Sequence, residues 1–268
     1  MAGLPVESRR RHNSEMAERI GWTRDQQLVA LRLYVRTPFG KLHGRNPEIV
    51  ELADRIGRTA NALAMKACNF ASLDPAFRLT DRKGLSGASE ADRALWGEFA
   101  GNAEQLAAEA EEVFARLDPA RAAAEESEVR IPEGETDVAR VVRARRVQGF
   151  FRSAVLTSYD GRCAISGLAV PGLFVASHII PWCDSVERRA DPTNGLCLNA
   201  LFDRAFDCGL ITVDEDLRVV LSRRLRDAAA EAELGCSLRE AEGRQLSTPT
   251  RFPPAADALG HHRRRFAE

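Results

Sequence analysis

Apolar residues recur at helical spacing through the first part of the chain. Thr23-Arg-Asp-Gln26 has the form of a capping box, and Leu28, Leu31 and Val35 follow at a 3.6-residue period, with Trp22 just before the cap. Pro38 and Gly40 close that helix. Asn46-Pro47 opens a second, with Ile49, Val50, Leu52, Ala53 and Ile56 as its apolar face, and Gly57 stops it. Arg58-Thr59 opens a third, carrying Leu63, Met65, Cys68 and Phe70. Three short helices with a tight turn before the last predict an all-α, helix-turn-helix-like module over residues 21–76. Residues 77–117 read as a connecting helical region. Within it, 88–117 predict one long helix with Leu95, Trp96, Phe99, Leu106, Val113, Phe114 and Leu117 as an apolar stripe. Such a stripe suits a connector or a homodimer seam.

Composition narrows the class. The chain has 268 residues, 44% hydrophobic and 29% charged, which is globular and excludes wholesale disorder. Lys and Arg total 38 against 39 Asp and Glu, a net charge of −1. That excludes a uniformly basic nucleic-acid binder and leaves room for a local basic patch. The sequence lacks an apolar run long enough to span a membrane, and the first residues lack the apolar core of a signal peptide. Six scattered Cys (68, 163, 183, 197, 208 and 236) read as free thiols in a reducing cytoplasm, the expected location.

The charge is unevenly placed. Residues 1–20, with Arg9, Arg10 and Arg11, read as a flexible arm, and 118–137 as an acidic, Pro- and Gly-punctuated linker. From Val138 to Ser153 there is no acid, and Arg140, Arg143, Arg145, Arg146 and Arg152 lie on a helix expected to run to about Ser158. Arg143, Arg145 and Arg146 are candidates for phosphate contact, as are Arg58, Asn61 and Lys66 (with Asn69) on the third helix. DNA is the expected partner. The blander reading of each is a solvated polar face. Near the C-terminus, His261 and His262 precede Arg263–Arg265 and read as a solvated tail.

Residues 163–222 concentrate the chemistry. Gly172–Ile180 predicts a strand with His178 near its end, broken by Pro181. Arg188 and Arg189 lie in the following loop, and Asn194-Gly195 signals a turn. Leu196–Phe206 is helix-compatible, and Asp203 and Asp207, four residues apart, share one helix face. Residues 210–213 and 218–221 predict a hairpin around Asp214–Asp216. Paired carboxylates suit a divalent cation, Mg²⁺ first and Mn²⁺ as an alternative. A neutral imidazole can take a proton from water. The natural reaction class is metal-assisted phosphodiester hydrolysis.

The stretch Cys163-Ala-Ile-Ser-Gly, Ala176-Ser-His-Ile-Ile-Pro-Trp182, Asp191-Pro-Thr-Asn-Gly-Leu-Cys-Leu198 and Asp203-Arg-Ala-Phe-Asp-Cys-Gly-Leu-Ile211 resembles the HNH endonuclease superfamily, in its restriction-type branch. The resemblance covers about 60 residues, or about 80 with the Arg-rich helix before them. It implies an α+β chain: the helical module, then a ββα-metal nuclease domain over 138–268. It implies His178 as general base, Asn194 as the residue that fixes the loop and orients the base, and Asp203 with Asp207 as metal ligands. Arg188 or Arg189 would clamp the phosphate, and the products would carry 5′-phosphate and 3′-hydroxyl ends. The setting it implies is restriction or defence against foreign DNA. Two features depart from the pattern. Ser177 stands where many relatives place an Asp or His ligand, and Cys163 with Ser166 leaves no paired knuckle for structural zinc. The rival readings are an inactive DNA-binding regulator and a nuclease for RNA or structured DNA.

Overall fold

The computed structural model describes residues 21–78, 87–127, 138–229, 238–249 and 251–266. The arm expected over 1–20 and the second half of the expected linker, 128–137, lie outside the described residues, as does Cys236.

Among the described residues seven α-helices come first: α1 (Arg24–Arg36), α2 (Pro47–Arg55), α3 (Ala60–Ala71), α4 (Pro75–Arg78), α5 (Glu90–Gly101), α6 (Ala103–Leu117) and α7 (Pro119–Ser127). Their starts follow the side-chain chemistry. The Thr23 hydroxyl accepts the Gln26 N–H and the Gln26 side chain accepts the Thr23 N–H, completing the capping box. Asn46 caps α2 with Pro47 at its first position, and Thr59 caps α3. Gly57, at φ +66°, makes the reversal between α2 and α3. Helix α1 is the axis of this region: Leu28, Leu31, Leu33, Tyr34 and Val35 are fully buried. Val50 and Met65, expected on apolar faces, are exposed.

The single helix expected over 88–117 is two. Asn102, at φ −152°, ends α5, and its side chain accepts the Gln105 N–H to start α6. A short polar residue that bonds its own neighbourhood interrupts the ladder, although the apolar period continues across it. That stripe is covered by the chain itself: Leu95, Phe99, Leu106, Val113 and Phe114 belong to the core shared with α1. The first half of the expected linker is α7. Asp118 caps it through the Arg121 N–H, and Ala122 packs inward. Glu125 reaches the buried Arg32 at 2.6 Å.

Helix α8 (Val138–Ser158) is the wall between two cores. Val147, Phe150 and Ala154 pack into the helical core, while Phe151 and Val155 pack into the second core. Beyond it come β1 (Phe174–His178), β2 (Gly195–Asn199), α9 (Ala200–Asp207), β3 (Ile211–Val213), β4 (Val219–Leu221), α10 (Arg223–Ala229) and α11 (Ala256–Arg265). Strands β1 and β2 are antiparallel, with His178 opposite Gly195 and Ser177 opposite Leu196. Strands β3 and β4 form the expected hairpin. The segment read as a helix over 196–206 divides at Asn199. Leu196, Cys197 and Leu198 are all buried in β2, a continuous apolar run that periodicity cannot separate from a buried helix. Asn199 then accepts the N–H groups of Leu201 and Phe202 and starts α9. Leu201, read as buried, is exposed.

The C-terminal residues are not a solvated tail. Phe252 lies in the helical core, and the buried Arg251 donates to the Tyr34 carbonyl. His262, on α11, is buried in the second core beside Phe206.

Candidate active site

The site grows from the β1–β2–α9 unit. Asn194 is buried just before β2 and works as a staple. Its Oδ1 accepts the Ile180 N–H at 2.8 Å, and its Nδ2 donates to the carbonyls of Ile180 at 3.1 Å and Arg188 at 3.3 Å. Its own carbonyl accepts the Ile179 N–H at 2.9 Å. One side chain therefore fixes both ends of the 180–188 loop, which carries Arg189 into place.

His178 is oriented by that loop. Its Nε2 lies 3.0 Å from the Arg189 carbonyl oxygen. A carbonyl can only accept, so Nε2 carries the proton and Nδ1 holds the lone pair. The ring stacks on Phe151 at 3.7 Å and 12°, with the Trp182 ring edge-on at 5.7 Å. Burial against these rings lowers the His178 pKa to about 4, opposed in part by the Arg189 carbonyl. The imidazole is neutral at pH 7. Gly195 makes this packing possible: a Cβ there would lie 2.3 Å from Val155 Cγ2 and 2.9 Å from Phe151 Cζ.

Asp203 and Asp207 lie one turn apart on α9. Burial raises both carboxyl pKa values, and the Asp207 charge raises Asp203 further. The Ser177 hydroxyl lies against Asp203 and opposes part of that rise, yet its buried oxygen has no partner at hydrogen-bonding geometry. No hydrogen bond or ion pair among the described residues joins His178 to either carboxylate. Among the described residues, no group of three or more His, Cys, Asp or Glu side chains is placed to hold a metal. Ser177, Asp203 and Asp207 still form a coherent oxygen-donor set. Two partly desolvated carboxylates repel each other, and an orphaned hydroxyl sits beside them. A cation that takes one or two protein carboxylates and keeps its waters fits such a set.

The arginines fall into three groups. Arg188 is held by Asp191 at 3.1 Å and Asp257 at 2.7 Å. Arg189 donates to the Trp182 carbonyl and lies 4.7 Å over its ring. Both are in the loop that orients His178. Arg143 pairs loosely with Glu104 at 3.4 Å, while Arg145 and Arg146 line a cleft on another side of α8. Far from these, Arg58 lies over Trp22 and donates to Gln26 and the Gly21 carbonyl. Asn61 is exposed and packs against Gly44. Lys66 departs from the expected outward face: it is buried and held by Asp92 at 2.8 Å. A lysine on a short helix has no sequence mark of its inward turn except a distant acid. Asn69 donates to the Gly87 carbonyl. Sequence reasoning missed Phe151 as the platform for His178. Its only signal was the Phe150-Phe151 pair, one for each core.

Residues 163–214 match the HNH_2 family, described as HNH endonuclease. The chain thus carries an HNH endonuclease domain in its C-terminal half, preceded by an all-helical region, in an α+β architecture. Among solved structures it is similar to the "Modification dependent TagI restriction endonuclease", at 20% identity and a TM-score of 0.34. That match covers 44% of this chain and 38% of the other. A search of curated proteins gives no significant match. No described helix is long and apolar enough to cross a membrane.

Proposed function

We propose that this protein is a metal-dependent DNA endonuclease, cytoplasmic and acting in restriction or defence against foreign DNA. The observation that carries the chemistry is the His178 tautomer. With Nε2–H held by the Arg189 carbonyl, the Nδ1 lone pair is left to take a proton from an attacking water. Asn194 keeps that carbonyl in place, so it acts as a positioning residue. Asp203 and Asp207 would hold one divalent cation, Mg²⁺ or Mn²⁺, with the Ser177 hydroxyl beside them. When bound, such an ion neutralises charge on the phosphate and the leaving 3′ oxygen. Arg189, and Arg188 once released from Asp257, would steady the phosphate. The products would carry 5′-phosphate and 3′-hydroxyl ends. The helix-turn-helix-like layout would add target selection, with Asn61 and Arg58 at its surface.

The test is cleavage of supercoiled plasmid with Mg²⁺, Mn²⁺ or EDTA. Metal-dependent nicking is expected, lost on His178→Ala. Asp203→Asn should weaken divalent-cation affinity measured by calorimetry. Nicking that persists in EDTA would remove the cation from the reading. A band shift on DNA without cleavage under any metal would favour a DNA-binding regulator, and cleavage of RNA alone would redirect the substrate.

A further inference from the structure

A cleft of about 270 Å³ opens on the side of α8 turned away from His178. The helix geometry separates the two. Phe151 and Val155 face His178 and β2. At about 100° per residue, Arg145, Gly149, Arg152 and Leu156 lie roughly 100–160° around the axis from Phe151. Those residues line the cleft, and Arg36, Glu111 and Glu125 from α1, α6 and α7 close its other side.

The charges in the cleft do not balance. Glu111 is taken by Arg32 at 2.9 Å and Arg36 at 3.1 Å. Glu125 is taken by Arg32 at 2.6 Å and Arg36 at 2.8 Å. Neither reaches α8. Arg145 has no hydrogen bond or ion pair with any described residue, and its Nε is buried without a partner. Arg152 spends one nitrogen on the Phe174 carbonyl at 3.0 Å. A buried guanidinium donor left unpaired is costly unless something in the cleft accepts from it. An anion would satisfy that donor and complement the surplus of arginines, and the forked donors of arginine match phosphate oxygens.

We propose that this cleft binds a terminal phosphate group. The room is slightly below the roughly 300–1,000 Å³ of sites for drug-sized molecules, which suits a phosphate with little else buried. The carboxylate wall disfavours a continuous polyanion running through the cleft and admits a single dianionic end. That end can come from a free nucleotide or from the 5′ terminus of a nucleic-acid strand. Both present a phosphate monoester to Arg145 and Arg152. The inference does not depend on cleavage by His178.

The experiment uses the full chain in EDTA, so that no hydrolysis intervenes. Calorimetry measures AMP against adenosine, and fluorescence anisotropy measures a short 5′-phosphorylated oligonucleotide against its 5′-hydroxyl form. A preference for the phosphorylated member in either pair is expected, and the arm that shows it identifies the source. Arg145→Ala should weaken that binding about tenfold or more. Arg145→Lys should fall between, keeping the charge and losing the fork. Arg145 makes no bond in the protein, so the melting temperature of the alanine variant serves as a check on folding. His178→Ala should bind phosphate as the native protein does. No preference for phosphate in either arm, or unchanged binding in a folded Arg145→Ala protein, would overturn the assignment.

Discussion

His178 and His262 occupy settings that share a stacked ring, a carbonyl partner and a lowered pKa. Each ring stacks flat on a phenylalanine, His178 on Phe151 at 3.7 Å and His262 on Phe206 at 3.6 Å. Each places Nε2 3.0 Å from a backbone carbonyl, of Arg189 and Phe206 respectively. Each has its pKa lowered to about 4, first by burial. The difference is at Nδ1. In His262 the Thr212 hydroxyl lies 2.9 Å from that nitrogen, and the ring is sealed in the core. In His178 no described residue hydrogen-bonds to Nδ1, and the residue sits at the end of a strand. Stacking, tautomer and basicity are therefore shared features, and they do not make a histidine reactive. What separates the proposed general base from the structural histidine is a lone pair left unspent.

The comparison predicts opposite outcomes for the same substitution. The largest effect is on turnover: His178→Ala should cut plasmid nicking by about 10²–10⁴-fold, measured on protein shown to be folded at the assay temperature. A nicking rate within a few-fold of native would end the distinction. His262→Ala should do the reverse. It removes a buried ring and two hydrogen bonds, so chemical denaturation should show a loss of about 3 kcal/mol, while the folded fraction keeps its activity.

Acid should expose the structural histidine next. The His262 pKa is depressed in the folded state from 6.5 to about 4. The unfolded chain therefore takes up the proton first. The stabilisation from a neutral His262 is complete above about pH 6.5 and is lost as pH falls towards 4, by roughly 2–3 kcal/mol. Denaturation midpoints measured from pH 7.5 to 4.5 should fall less steeply in His262→Gln than in the native protein. An identical slope would mean that His262 is protonated in the fold. The smallest effect is the sharpest. Thr212→Val should cost about 1 kcal/mol and leave nicking unchanged, because it frees an Nδ1 that no substrate can reach.

Much of this was legible along the chain, and the boundary has physical causes. Helix starts were readable because capping is local: Thr23, Asn46 and Thr59 each bond a backbone group within three residues. His178, Asn194, Asp203 and Asp207 could be proposed as a site because they fall in one short stretch, and the structure carries them on a strand, the turn before β2 and one face of α9. Asn102 was misread because apolar periodicity runs straight through a residue whose side chain restarts the helix. The run Leu196–Leu198 was misread because a fully buried strand has no polar alternation. His262 and Lys66 were misread because their partners, Phe206 with Thr212 and Asp92, lie far along the sequence. Basic residues beside other basic residues look solvated until the fold shows which one turns inward.

Helix α8 also sets how far the catalytic segment can travel. The stretch matched to the nuclease family begins at Cys163, after α8 has ended. Phe151, the floor of the His178 site, belongs to α8, and the adjacent Phe150 is anchored in the helical core. A graft of 163–214 into another scaffold would leave the histidine without its floor. A graft that includes α8 would carry a bare apolar face seeking a host. In this protein the His178 setting and the helical region share one helix as their common support, so shuffling the two parts independently would demand a new support each time.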